Sequence, residues 1–179
     1  IGSILGDRAI LEQGPYSATK HAMQALTDTL RMELEREDAG ISVTLVKPGG
    51  IATPYPEHAR NYMDVPPRIP QPLYHPDVVG DAVVFACATP RRTLYIGGGG
   101  IVSSVGGQLA PRTTDAIMEV VGRRMQQHRH APEDPAKRDN LYEPRADGEV
   151  CTDQDVFMRR HSLAVQAQKL PTMGWIGLA

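Results

Sequence analysis

The feature that most restricts how this chain can fold is a long amphipathic helix pattern followed at once by a buried strand pattern. From Tyr16 to about Glu37 the residues are mostly strong helix formers, and Met23, Leu26, Leu30 and Leu34 recur at spacings of three and four. Pro15 suits the first turn, where its missing N–H costs nothing, and Asp38-Ala39-Gly40 ends the helix with a glycine placed for a left-handed turn. Ile41 to Val46 is then a short apolar run, rich in β-branched residues and without alternation, as expected of a parallel strand buried on both faces. It stops at Lys47-Pro48-Gly49-Gly50. Helix, short turn and strand form half of a β-α-β crossover, which predicts a parallel, right-handed sheet that binds ligands beyond the carboxyl ends of its strands.

The remainder fits the same architecture. Ile1 and Gly2 read as the end of a strand with Ser3 just beyond it, and Leu5 to Gln13 as a loop. Pro54 to Pro76 holds seven of the prolines together with Tyr55, Tyr62 and Tyr74. A connection of that length inside a compact domain is unusual and often serves as a lid or binding loop, so a substrate-covering role is expected, with a short helix around Glu57 to Met63. His75-Pro76-Asp77 starts a second helix whose stripe is Val78, Val79, Ala82, Val83, Ala86 and Cys87, ending before Pro90. Arg92 to Ile96 reads as a strand closing on Gly97 to Gly100. That glycine run lacks the lysine and the spacing of a phosphate loop, so a plain turn or flexible connection is expected. Beyond Pro111 a helix from about Thr113 to Gln127, a Pro- and Asp-rich polar segment to about Gly148 and a last helix from Asp153 to Lys169 are expected. Residues 1–110 thus form one unit and 111–179 a helical or irregular C-terminal extension, read as peripheral.

The charge balance narrows the function classes. A formal net charge of −2 gives no bulk attraction to nucleic acid or anionic membranes, and no apolar run is long enough to span a bilayer. Arg123, Arg124, His128, Arg129 and His130 form a basic run near a helix end, read as a solvated face complementing the helix dipole. Cys87 and Cys151 cannot make a disulfide framework, so a cytoplasmic location is the default. Trp175 finds no role in this reading.

The chemistry centres on Tyr16-Ser17-Ala18-Thr19-Lys20. Four residues apart on a helix, the phenol and the ammonium project from one face. Ser3 precedes Tyr16 by thirteen residues, and Pro48-Gly49-Gly50-Ile51-Ala52-Thr53 follows the next strand. In order and spacing these three elements resemble the short-chain dehydrogenase/reductase family over roughly residues 1–110. The resemblance implies the C-terminal half of a Rossmann-type, doubly wound parallel α/β sheet and an alcohol–carbonyl oxidoreductase using NAD or NADP. It also implies that Tyr16 is the general acid or base, that Lys20 binds the nicotinamide ribose and favours the phenolate of Tyr16, and that Ser3 steadies the substrate oxygen. Pro48, Gly49, Ile51 and Thr53, with Tyr16 and Lys20, would line the cofactor. Family members commonly pair through the Tyr16 helix, which implies a homodimer or homotetramer of the intact protein.

The family's glycine-rich pyrophosphate loop, its NAD/NADP-selecting residue, its Asn-Asn-Ala-Gly stretch and its catalytic asparagine do not occur here. The chain, opening at Ile1-Gly2-Ser3 without a methionine, therefore reads as a fragment that is expected to be inactive alone. Two other readings stay open. One is a non-catalytic relic or binding module; the other is a Ser-x-x-Lys hydrolase with Ser17 as nucleophile, against which no Ser-Asp-Asn or Lys-Thr-Gly follows.

Overall fold

The computed structural model describes residues 1–128, 137–145 and 147–170. A 3-10 turn at Ile4–Gly6 leads into α1 (Gly14–Arg36), the long helix expected from the sequence. Asp38 and Gly40 both adopt positive φ (47° and 65°), and the Ala39 N–H donates to the Leu34 carbonyl at 3.1 Å, which ends the helix as glycine punctuation predicts. The apolar stripe of α1 is turned outward, with Leu26 68% exposed and Leu30 43% exposed. Its buried residues are Ser17 and Arg31. Arg31 satisfies itself there by donating to the carbonyls of Val43 (3.2 and 3.1 Å) and Arg92 (3.2 Å) and to Asp28 (2.7 Å).

β1 (Leu45–Pro48) pairs in parallel with β4 (Thr93–Ile96), Leu45 opposite Thr93 and Pro48 opposite Ile96. The expected strand over 41–46 is thus shifted toward its C-terminus, and Lys47 lies inside the strand rather than in a turn. A lysine is tolerated in a buried strand because its charge is met: Nζ donates to Asp7 at 2.6 Å and to Gln24 at 2.9 Å. A second parallel sheet has the order β2 (Gly50–Ile51), β3 (Leu73–Tyr74), β5 (Met158–Arg159). Between them lie α2 (Tyr55–His58), shorter than expected, and α3 (Pro76–Ala88). β1, α3 and β4 form a parallel crossover, in line with the parallel sheet expected from the sequence, an α/β arrangement consistent with a Rossmann-like fragment.

Three expectations are corrected. Gly97–Gly100 is no flexible connection: Gly97 (φ 95°) opens α4 (Gly98–Leu109). α5 (Pro111–Met125) starts with its proline in the first turn and ends two residues before Gln127. Only Leu163–Lys169 of the expected last helix is helical, as α6, because Ser162 caps it by accepting from the Val165 N–H at 3.3 Å. Arg129, His130 and Trp175 lie outside the described residues.

The core is Val46, Tyr74, Val78, Ala82, Ile96 and Val165, so α6 packs on the sheet with α3. Gln168 of α6 accepts from the Tyr95 N–H at 3.0 Å and donates to the Tyr95 carbonyl at 2.8 Å, satisfying the outer edge of β4. Among the described residues no helix is long and apolar enough to cross a membrane. Since Lys47 and Asp7 side chains are 5% and 3% exposed, Lys47→Met should strand the carboxylate and cost about 3–5 kcal/mol of stability, read from urea unfolding; a loss below about 1 kcal/mol would show the pair is not needed.

Candidate active site

The elements converge on a cavity of about 580 Å³ at the carboxyl ends of β1 and β4. Ser3, Tyr16, Lys20, Pro48, Gly49, Ile51 and Thr53, the residues singled out from the sequence, all line it. Ser3 is buried and caps the 3-10 turn, its Oγ accepting from the Leu5 N–H at 3.1 Å. The serine's own O–H is thereby left to donate elsewhere. Tyr16, in the first turn of α1, is 44% exposed on the cavity side. Lys20 one turn on holds its Nζ 5.5 Å from the Tyr16 ring centroid and donates to the Ile1 carbonyl at 3.3 Å. An ammonium carries three donors, so two remain for a ligand.

Close backbone approach sets this geometry. A Cβ added to Gly6 would lie 2.8 Å from the Lys20 carbonyl oxygen, so only glycine lets the Ser3 turn sit this near α1 at Lys20. A Cβ at Gly100 would collide with Ile4, so α4 grips the other side of the same turn. Gly97, Gly99, Gly100 and Ser103 at the start of α4 line the cavity too, and sequence reasoning missed them. The glycine run directly after a strand was the available signal. Gly49 and Gly50 lie beside them, the Gly49 N–H donating to the Ile96 carbonyl at 2.9 Å, so that wall is largely bare backbone.

The far wall comes from the proline-rich connection and from α5. Tyr55, Arg68, Ile69, Pro70, Gln71, Pro72 and Tyr74 line the cavity, whereas Tyr62 is exposed. Met118 and Met125 of α5 complete it, again unforeseen. The connection is tied down by Arg68 N–H to the Gln126 carbonyl (2.9 Å) and His128 N–H to the Pro66 carbonyl (2.8 Å). Glu57 of α2 accepts from Thr152, and burial pushes its carboxyl above the usual glutamate range.

The hydrolase reading fails on accessibility. Ser17 is 2% exposed, is absent from the cavity lining and its Oγ has no hydrogen-bond partner among the described residues, so it presents no nucleophile. Arg123 pairs with Glu12 at 2.9 Å and Arg124 is exposed, in line with a solvated basic face, whereas His128 departs from it, its Nδ1 being buried against the proline-rich connection. Among the described residues no group of His, Cys, Asp and Glu is arranged to hold a metal ion.

Comparison with known proteins gives a consistent result. Residues 1–63 match the family described as short chain dehydrogenase. A Bacillus subtilis (strain 168) protein named uncharacterized oxidoreductase YxnA is 37% identical over 172 residues, 96% of this chain and 48% of that protein. Homo sapiens dehydrogenase/reductase SDR family member 11 is 35% identical over 83 residues, 43% of this chain and 31% of that protein. Mus musculus dehydrogenase/reductase SDR family member 7B is 49% identical over 53 residues, 30% of this chain and 16% of that protein. The chain thus spans about half the length of the Bacillus relative. No solved structure gives a significant match.

The Gly6 contact is directly testable. Gly6→Ala should cost about 1–3 kcal/mol in thermal or denaturant unfolding, because the neighbour is backbone and cannot yield cheaply; an unchanged melting temperature would refute the close-approach argument.

Proposed function

We propose, from its similarity to short-chain dehydrogenases, that the chain is a member of the short-chain dehydrogenase/reductase family and the catalytic half of a cytoplasmic NAD- or NADP-dependent oxidoreductase interconverting an alcohol and a ketone or aldehyde. The observation that carries the proposal is the convergence of Ser3, Tyr16, Lys20 and the Pro48–Thr53 segment on one cavity, with the ammonium beside the phenol. The nicotinamide, when bound, supplies or accepts the hydride. Tyr16 Oη gives a proton to the carbonyl oxygen in reduction and takes the hydroxyl proton in oxidation. Ser3 Oγ, already accepting from Leu5, donates to the same substrate oxygen and steadies the charge that develops there. Lys20 Nζ, held from one side by the Ile1 carbonyl, directs its remaining donors to the ribose hydroxyls. The backbone near Ile51 and the hydroxyl of Thr53 would hold the carboxamide, with Gly49, Gly97 and Gly99 lining the same cavity. The presence of Ile4, Leu5, Ile10, Ile69, Met118 and Met125 in the cavity lining favours a moderately apolar substrate.

Tyr16→Phe in the intact protein should lower turnover about 10²–10⁴-fold while leaving nicotinamide-dinucleotide binding unchanged, since it removes only the proton donor. Unchanged turnover would favour the non-catalytic binding module instead.

Self-association belongs to the same proposal. Met23, Leu26 and Leu30 form an exposed stripe along α1, apolar surface that a second copy would cover. Light scattering of the intact protein should return two or four times the chain mass, and a monomer at micromolar concentration would remove this part of the proposal.

A further inference from the structure

Away from the cavity, the structure assembles a second chemically capable cluster from residues distant in sequence. Cys151 Sγ lies 3.3 Å from His75 Nε2, and the other ring nitrogen, Nδ1, lies 3.1 Å from Asp77 Oδ2 and 3.3 Å from the Asp77 backbone nitrogen. His75 is the N-cap of α3, a helix of thirteen residues, so the sulfur sits at the positive end of a helix dipole. The other free cysteine, Cys87, is the penultimate residue of the same helix and lies at the negative end.

The ring's protonation states converge on one outcome. When neutral His75 accepts the Asp77 N–H at Nδ1, its proton is on Nε2 and is donated to the sulfur. When His75 is doubly protonated, Nδ1–H donates to the Asp77 carboxylate and Nε2–H again faces the sulfur. The remaining tautomer, with Nδ1–H on the carboxylate, offers a bare Nε2 that can take the thiol proton and so reach the doubly protonated state. In the first two arrangements Nε2–H points at the sulfur and in the third Nε2 can take its proton, and a thiolate is the nucleophilic form of cysteine. Cys151 is only partly buried, His75 is 15% exposed and Asp77 stands largely in solvent.

We propose that Cys151, with His75 as its proton acceptor and Asp77 orienting the ring, is a reactive thiol that forms mixed disulfides with low-molecular-weight disulfides. The Cys151 thiolate attacks one sulfur of the reagent, the reagent's S–S bond breaks as the new one forms, and the released thiolate takes the proton from His75 Nε2 or from water. Cys151 is oxidised and the departing half of the reagent is reduced, so electrons balance without a further oxidant. The adduct would stand beside the Thr152 N–H to Ala52 carbonyl bond (3.1 Å), between the cavity residues Ile51 and Thr53 in sequence.

The two cysteines of α3's opposite ends provide an internal control. The chain is treated at neutral pH with oxidised glutathione, and separately with iodoacetamide, and the rate at each cysteine is read by peptide mass spectrometry. Cys151 should react at least about tenfold faster than the more exposed Cys87 with both reagents. His75→Asn keeps a good helix cap while removing the imidazole, and should bring Cys151 down to the rate of Cys87 or below with the melting temperature retained. Asp77→Asn should slow Cys151 several-fold without touching the cap nitrogen. Equal rates in the unaltered chain would overturn the proposal whatever the variants do. So would a folded His75→Asn chain whose Cys151 reacts as fast as before.

Discussion

The ion pair between Lys47 and Asp7 constrains this structure more than any other contact. An isolated charge in a buried parallel strand would cost several kcal/mol, so the ammonium must be met from several directions at once. It donates to Asp7 and Gln24 and sits 5.4 Å over the Tyr95 ring centroid, while the second Asp7 oxygen accepts from Tyr95 Oη (3.3 Å) and Ser104 Oγ (2.8 Å). Those partners belong to the segment after the 3-10 turn, to α1, β1, β4 and α4. A network of this kind holds five segments in one arrangement, because any other leaves a buried charge unmet. Neither residue lines the cavity, yet both govern it: Asp7 anchors the turn that carries Ser3, and Gln24 anchors the helix that carries Tyr16 and Lys20.

Steric absence does the complementary work. Gly6 admits the Lys20 backbone, Gly100 admits Ile4, and Gly107 admits the Arg8 side chain, whose Cδ would be 2.8 Å from an added Cβ. The Ser3 turn is therefore seated in a slot between α1 and α4. Each glycine inside α4 costs about 0.5–1 kcal/mol relative to alanine, and packing against the turn offsets that cost. Helix propensity alone would have left Gly98–Leu109 unstructured; contact with the turn explains why it is a helix.

Residues beyond 110 are joined to the same site. Buried Gln126 accepts from Gln13 at 2.6 Å and donates to the Leu11 carbonyl at 2.9 Å, just before α1, and its own carbonyl takes the Arg68 N–H. One residue thus links the approach to Tyr16 with the proline-rich wall. α6 contributes Val165 to the core and its cap Ser162 accepts from Gly97 at 3.3 Å, beside the glycines of the cavity.

Local pattern determined much of this protein. The 3.6-residue period of α1, the left-handed Gly40, the helix α3, the strand β4 and the spacing of Ser3, Tyr16 and Lys20 were legible in the sequence because each depends on neighbours in the chain. Ser17 stayed open as a hydrolase nucleophile until its burial closed that reading. The shift of β1 to include Lys47, the helix built on Gly98–Gly100, the Met118 and Met125 wall and the meeting of Cys151 with His75 were not legible. Those features exist only where distant segments touch. A buried lysine is stable once Asp7 arrives, a glycine helix once Ile4 fills its groove, and Cys151 meets His75 once the end of β3 and the approach to β5 run side by side.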